Sequence, residues 1–262
     1  MDHSQTHWGR PRDDVYGAYN AAYHNAPSSL EERPTQHTLQ PSVTGTSVVA
    51  IKFDKGIVMA ADTLAAYGSL RRFTNEQRIF KVGDLTVVGV SGDVSDQQTI
   101  EAKLDDLEVK LGYDEFGPAL TPKSIHSWLR HLMYGRRNKM DPLWNSTIVG
   151  GVENGTPYLG YVNLLGVTYK APSLATGFGS YLAVPILRKL CNVDGDETKV
   201  TEQQARDAIA ECMRVLFYRD GRAYDRYSLA VVTEAGVSLE EHAVEKQQWA
   251  FASEIKGFGT QV

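Results

Sequence analysis

Short apolar runs separated by polar turn residues dominate the chain once a polar beginning has ended. The runs TSVVAIKF and GIVMAAD are rich in β-branched residues and flank Asp54-Lys55-Gly56, which predicts two strands joined by a tight turn. The runs RIFKV and LTVVGVSG predict a second pair, joined at Gly83-Asp84. Strands that follow each other this closely indicate antiparallel pairing.

Apolar residues at helical spacing come next and predict two helices. The first follows Asp93 or Ser95, either of which can cap its start, and the second has Pro122 in its first turn. The apolar face of the first helix is formed by Ile100, Leu104, Leu107 and Leu111.

The second half of the chain repeats this order of strands followed by helices. Two alternating runs flank Asn154-Gly155, a strong signal for a hairpin. SYLAVPILRKL predicts a helix despite Pro185, and TEQQARDAIAECMRVLFYRDG predicts a longer one, with Thr201 and Gln204 placed as a capping box. RYSLAVVTEAGVSLEE predicts a final hairpin.

This order differs from the strand–helix alternation of a parallel α/β fold. It predicts an α+β fold in which two antiparallel sheets pack face to face and pairs of helices cover their outer faces. We assign this domain to residues 38–243. Residues 1–37 are expected to form a flexible leader, a removable propeptide whose end falls between 34 and 37, and residues 244–262 form a C-terminal extension.

Composition excludes several classes of function. A net charge of −5 without a clustered basic face argues against nucleic-acid binding. No apolar stretch reaches about 18 residues, so no membrane span is expected, and the first residues lack the apolar core of a secretory signal. Cys191 and Cys212 are therefore expected to be reduced and buried.

The candidate catalytic set consists of Thr46, Asp62 and Arg78. A threonine at the N-terminus of a processed chain can attack a peptide carbonyl when its free amine accepts the hydroxyl proton, and a nearby lysine, oriented by an aspartate, assists it. Here cleavage after Gly45 would be required, and arginine stands in the place of the lysine. A guanidinium stays charged and cannot exchange a proton, so residue types alone favour structural roles for all three.

Several further motifs occur in an order that resembles the proteasome β-type subunits. They are Gly45-Thr46, the AAD ending at Asp62, the Tyr67-Gly68 turn, the step from Ser91 to Asp96, the segment from Ala175 to Ser180, and the segment from Asp225 to Ser228. The segments AYGSLRRF, MYGRRNKMDPLWN and YVNLLGVTYKAPSLATGFGSYLA are similar to a non-catalytic member that occupies the seventh position of the β ring. The resemblance implies the four-layer N-terminal nucleophile hydrolase fold.

The chain departs from active members of that family at two positions. Arg78 replaces their lysine, and Phe178 stands where they usually carry a small residue beside the nucleophile. Asp225 and Ser228 match the supporting residues of active members. The resemblance therefore implies a structural subunit of the 20S core that supports ATP- and ubiquitin-dependent degradation in the cytoplasm and nucleus and needs no cofactor or metal.

The resemblance also implies partners and processing. The partners would be β subunits of the same and the opposite ring, the α ring and, in addition, assembly chaperones. Cleavage is expected before Thr38, which keeps the family's spacing to Pro41, or before Thr35, which keeps a Thr-Gln dipeptide. The alternatives are an active endopeptidase with Thr46 as nucleophile and a stand-alone homomeric peptidase.

The C-terminal extension carries large apolar residues that a solvent-exposed tail seldom has, namely Trp249, Phe251, Ile255 and Phe258. They could pack on their own domain, but the resemblance favours an extension that reaches the opposite β ring.

Two other motifs carry little weight. The segment from Ala175 to Ser180 lacks the lysine of a phosphate-binding loop, and His126 and His131 lack the spacing of a helical zinc pair.

Overall fold

The computed structural model describes residues 41–112, 120–245, 247, 249 and 250. The strands are β1 Val43–Gly45, β2 Val48–Phe53, β3 Gly56–Asp62, β4 Ala65–Tyr67, β5 Leu70–Phe73, β6 Ile79–Val82, β7 Thr86–Asp93, β8 Asn145–Glu153, β9 Thr156–Val162, β10 Thr168–Lys170, β11 Ser173–Ala175, β12 Arg226–Thr233 and β13 Gly236–Ala243. The helices are α1 Val94–Gly112, α2 Pro122–Asn138, α3 Gly179–Leu182, α4 Val184–Arg188 and α5 Glu202–Arg219, with a 3₁₀ turn at Asp196–Lys199.

These strands form two antiparallel sheets, as the sequence predicts. One sheet has the order β10-β9-β8-β7-β1-β4-β5, with β6 also paired to β7, and the other has the order β11-β2-β3-β12-β13. Three apolar clusters separate the layers. One lies between the sheets, one packs α1 and α2 on the first sheet, and one packs α3 to α5 on the second sheet. The result is the α+β sandwich of helices, sheet, sheet and helices.

Strand β2 shows why the central strands are almost entirely apolar. Val48 and Ala50 face the cluster between the sheets, whereas Val49 and Ile51 face the cluster under α5. Because both faces of the strand are covered, alternation between polar and apolar residues is absent, and every residue of β2 is buried.

Local sequence signals explain most element boundaries. Thr201 and Gln204 form the capping box of α5 as expected. Of the two candidate caps for α1, Asp93 is the one whose carboxylate accepts the Asp96 amide, at 3.1 Å. Asn154 and Gly155 have φ values of 50° and 73°, which fit the tight turn between β8 and β9.

One predicted helix is divided in the structure. SYLAVPILRKL forms two short helices, α3 and α4, rather than one. Pro185 lies in the first turn of α4, where its missing amide hydrogen leaves no hydrogen bond unmade, so a new helix starts there instead of the first one continuing.

The remaining expectations about the described residues concern membranes and cysteines. Among the helices of the described ranges, none has the length and apolar character to cross a membrane. Cys191 and Cys212 are free and buried. Burial raises the pKa of Cys212 to about 12, so this thiol stays protonated and unreactive at neutral pH.

Candidate functional site

Thr46 lies where the chain crosses from one sheet to the other. Residues Val43 to Gly45 form β1 in the first sheet, and two residues after Thr46 the chain enters β2 of the second sheet. Strand β1 is held between β7 and β4, with Gly45 opposite Gly92 and Thr44 opposite Ala66. The residues before Thr46 are thus an integral part of a sheet.

Arg78 and Asp62 form a buried ion pair beneath this crossing. Their exposed fractions are 1% and 2%, and the Arg78 Nη1 donates to the Asp62 carboxylate. The second carboxylate oxygen of Asp62 accepts the Tyr224 amide at 3.0 Å. The two side chains therefore neutralise each other's charge in the interior of the domain.

The same guanidinium also binds the backbone of the candidate nucleophile. Arg78 Nη2 donates to the carbonyl oxygen of Thr46 and, at 3.2 Å, to that of Ser47. Gly45 packs directly on the guanidinium, so closely that a Cβ at this position would overlap it. Arg78 therefore fixes the backbone on both sides of Thr46.

Burial determines the electrostatics of this pair. It raises the pKa of Asp62 to about 6, while Arg78 and the Tyr224 amide act in the opposite direction. It also lowers the pKa of Arg78, and Asp62 opposes that change. The carboxylate is still ionised at pH 7, because this pKa lies below neutrality, and a guanidinium keeps its proton at any physiological pH.

The partner of the Thr46 hydroxyl is Asp220, a residue that sequence reasoning missed. The hydroxyl donates to the Asp220 carboxylate at 2.5 Å, and the other carboxylate oxygen accepts the Arg222 amide at 3.0 Å. Asp220 is the residue that ends α5. The available signal was an aspartate directly at the predicted end of a helix, in the motif Arg219-Asp220-Gly221.

Asp225 and Ser228, which match the supporting residues of active members by motif, occupy different positions from Asp220. Within the described part of the chain, neither lines the cavity beside Thr46, whereas Asp220 does. Ser228 lies in β12 opposite Ala61 and Glu241. Asp225 has one buried carboxylate oxygen without a hydrogen-bond partner among the described residues. Asp225 comes five positions after Asp220, at the other end of the loop between α5 and β12.

A cavity of about 680 Å³ opens beside Thr46. Phe178 lines it, precedes α3 and is 57% exposed, so a large ring stands at the wall. Behind this wall, the Ser47 hydroxyl accepts the Gly179 amide at 2.9 Å. The cavity is lined by Thr44, Gly45, Thr46, Ser91, Gly92, Trp144, Asn145, Ser146, Leu164, Gly177, Phe178, Asp220, Gly221 and Arg222.

The other candidate positions have structural surroundings. Within the described ranges, no three His, Cys, Asp or Glu side chains are grouped to hold a metal ion. His126 bonds through its two ring nitrogens to the Tyr158 hydroxyl and the Thr168 hydroxyl, both at 2.6 Å. His131 bonds to the carbonyl oxygen of Ser127 in its own helix.

The beginning of the C-terminal extension lies on its own domain. The ring of Trp249 contacts Phe217 and Tyr218 of α5 edge to face, with centroid distances of 5.9 and 5.2 Å. Phe251, Ile255 and Phe258 lie outside the described residues, as do both candidate cleavage sites, before Thr35 and before Thr38.

Comparisons with known proteins agree on one family. A family model described as "Proteasome subunit" matches residues 42–232. The chain is 49% identical to proteasome subunit beta type-7 of Saccharomyces cerevisiae over 268 aligned residues, which cover 100% of this chain and 99% of the yeast protein. It is 47% identical to proteasome subunit beta type-4 of Xenopus laevis, over 86% of this chain and 92% of the frog protein. Proteasome subunit beta type-4 of Arabidopsis thaliana is 42% identical over 86% of this chain and 89% of the plant protein.

Proposed function

Because the chain belongs to the proteasome subunit family and is a β subunit of the core particle, we propose that it is a structural subunit without peptidase activity of its own. The observation that carries this proposal is the place of Thr46 within the chain. Its amine is part of the peptide bond to Gly45, and a peptide nitrogen cannot accept the hydroxyl proton. Removing the residues up to Gly45 would delete β1, which joins β4 and β5 to the rest of the first sheet.

The hydrogen bonds of Arg78 also support the absence of peptidase activity. All of its described hydrogen bonds go to Asp62 and to the carbonyl oxygens of Thr46 and Ser47, none to the Thr46 hydroxyl. Asp220 accepts that hydroxyl, but a carboxylate alone does not supply the free amine and lysine that activate a threonine in this family. Arg78 supplies the positive charge that the buried Asp62 carboxylate requires. It supplies no group that could accept the hydroxyl proton of Thr46.

The experiment is a Thr46→Ala substitution in the intact complex. All peptidase activities of the complex should stay at their wild-type values, and an inhibitor directed at N-terminal threonines should leave Thr46 unlabelled. Arg78→Lys alone should create no new activity, because the amine remains blocked. Loss of one activity in Thr46→Ala, or covalent labelling of Thr46, would show that the subunit is catalytic.

The alternative function is an active endopeptidase with Thr46 as nucleophile. Its support is geometric, since the Thr46 hydroxyl faces a cavity large enough for a peptide and has a carboxylate at 2.5 Å. The intact mass of the mature chain distinguishes the two. The alternative requires a chain that begins at Thr46, whereas the structural subunit begins upstream.

We expect maturation to leave a short extension before Gly45. Cleavage before Thr38 or before Thr35 would retain all of β1 and the bond from the Ser42 amide to Asp93, at 3.0 Å. A mature chain that begins at Met1 in finished particles would contradict this expectation, as would one that begins at Thr46.

We further propose that the C-terminal extension, residues 244–262, contacts the opposite ring and helps to hold two half-particles together. The partners would be β subunits of both rings and the α ring. Deleting residues 247–262 should leave the domain folded, because its core ends earlier, and half-particles should accumulate on native gels. Deleting only residues 251–262 keeps Trp249 on α5. This shorter deletion separates the contribution of Trp249 to its own domain from the contribution of the later residues to particle assembly. A normal yield of full particles from both deletions would argue for an extension that serves only its own domain.

The location that we propose for the chain is the cytoplasm and nucleus, where it would support ATP- and ubiquitin-dependent degradation. Fractionation of cells that carry a tagged chain, with the tag detected in assembled particles, tests this. Recovery of the tag in a membrane or secretory fraction instead would contradict it.

A further inference from the structure

The hairpin formed by β4 and β5 stands out because it is uncovered. Every residue from 67 to 75 is exposed, although this stretch includes Tyr67, Leu70 and Phe73, with exposed fractions of 58%, 59% and 45%. All four residues of β5 are exposed, although the Arg71 guanidinium reaches the ring of Tyr224 on the same domain. A strand that exposes large apolar side chains is a liability for a protein unless a partner covers them.

The position of the hairpin increases this liability. Strand β5 is at the edge of the first sheet, so one side of its backbone has no neighbouring strand among the residues that the structure describes. Edge strands in isolated proteins are usually protected by charged residues, bulges or a covering element. Here the pairing of β4 and β5 does contain an irregularity, between Ala65 and Ala66, but the three large side chains beyond it remain in solvent.

Charge identifies the kind of partner. Arg71 and Arg72 lie in the middle of the hairpin, and no carboxylate among the described residues lies within salt-bridge distance of either. Their guanidinium carbons lie over aromatic rings instead, Arg71 over Tyr224 at 5.7 Å and Arg72 over Phe73 at 4.5 Å. Stacking on a ring restricts a guanidinium while leaving its outward N–H groups free to bind carboxylates.

We propose that the β4–β5 hairpin is the docking surface for a neighbouring subunit of the core particle that presents carboxylates to Arg71 and Arg72. Leu70 and Tyr67 supply the apolar contact, and the two arginines supply charge-assisted hydrogen bonds at its centre. Aromatic and arginine side chains are the residues that most often anchor protein interfaces. The proposal uses the family membership of the chain and is independent of whether Thr46 is catalytic.

The test is a competition between a variant and the wild-type chain for incorporation into the core particle. Tagged R71E/R72E is expressed together with the untagged wild-type chain, and the ratio of the two is measured by mass spectrometry in the lysate and in purified particles. Like charges placed across an interface oppose docking, so R71E/R72E should be depleted from particles by about tenfold relative to the lysate. R71K/R72K keeps the charge and should be depleted much less.

A matched control carries the same change of charge elsewhere. Lys55 lies in the turn at the far end of β2, and Lys199 lies in the 3₁₀ turn before α5, so K55E/K199E should enter particles as the wild type does. Equal incorporation of R71E/R72E and K55E/K199E would overturn the proposal. So would depletion of R71K/R72K to the same extent as R71E/R72E, because that result requires no carboxylate partner.

A second measurement does not depend on the folding of a charge-reversed variant. A photoreactive residue at position 70 of the otherwise wild-type chain should cross-link within intact particles to a peptide of a neighbouring subunit that contains aspartate or glutamate. Cross-links only to this same chain, or only to a second copy of it, would contradict the assignment of the occupant.

Discussion

Replacing Gly45 with alanine should destabilise the protein far more than one added methyl group would suggest. The new Cβ would overlap the guanidinium of Arg78. That guanidinium is enclosed on all sides and is bound to Asp62 and to the carbonyl oxygens of Thr46 and Ser47. It can move aside only by giving up some of these bonds.

The size of the effect follows from the bonds at risk. Complete separation of a buried ion pair leaves an uncompensated charge and costs about 3–5 kcal/mol. A smaller shift that keeps the pair but breaks the bond to the Ser47 carbonyl removes a charge-assisted hydrogen bond and costs about 1.5–3 kcal/mol. We therefore expect Gly45→Ala to lower the free energy of unfolding by about 2–4 kcal/mol, between these limits.

Chemical denaturation of the purified full-length chain, followed by tryptophan fluorescence, measures this quantity. Gly135→Ala is the matched control, because the position is inside α2 and the added Cβ would meet nothing within 4 Å outside its own stretch of helix. Alanine favours a helix over glycine by up to about 1 kcal/mol, so the control should be neutral or stabilising. A loss below about 0.5 kcal/mol in Gly45→Ala would refute the packing of Gly45 on Arg78.

Two further predictions concern the helices. Burial lowers the pKa of His126, which favours the neutral ring in the folded state, so the contribution of this side chain to stability should be constant above about pH 6.5 and should decrease as the pH falls below that value. His126→Gln should reduce this pH dependence, measured by denaturation between about pH 7 and pH 5, and an unchanged profile would assign it to other groups. Thr201→Ala removes the capping box of α5 and should cost about 1 kcal/mol in the same assay, whereas no change would mean that α5 depends on packing alone.

The long elements of the fold could be predicted from the sequence because each carries a strong local signal. The hairpin at Asn154-Gly155 and the capping box at Thr201 and Gln204 are examples in which side-chain chemistry fixes the backbone. Most of the short strands could not be predicted, β6 in the run RIFKV being the exception. Three or four residues form each of the strands β1, β4, β5, β10 and β11. Segments this short become strands because they hydrogen-bond to neighbouring strands that are distant in the sequence or joined by a turn.

In the candidate site, too, some contacts could be predicted from the sequence and others could not. The pairing of Asp62 with Arg78 could be predicted, because a buried carboxylate requires a cation and arginine was the cation at the expected position. Asp220 could not be distinguished from Asp225 by residue type, since both aspartates follow α5 within one loop. Only the geometry of that loop decides which of them reaches Thr46.

Asp62 therefore says little about catalysis when it is considered alone. Its carboxylate is buried beneath the crossing of the two sheets, where its charge requires a paired cation. A lysine would meet this requirement and could also assist a threonine, whereas Arg78 meets it and also binds the carbonyl oxygens of Thr46 and Ser47 within the crossing. A paired cation at position 78 is therefore required both for stability and for catalysis. The state of the Thr46 amine, free or in a peptide bond, separates these two roles.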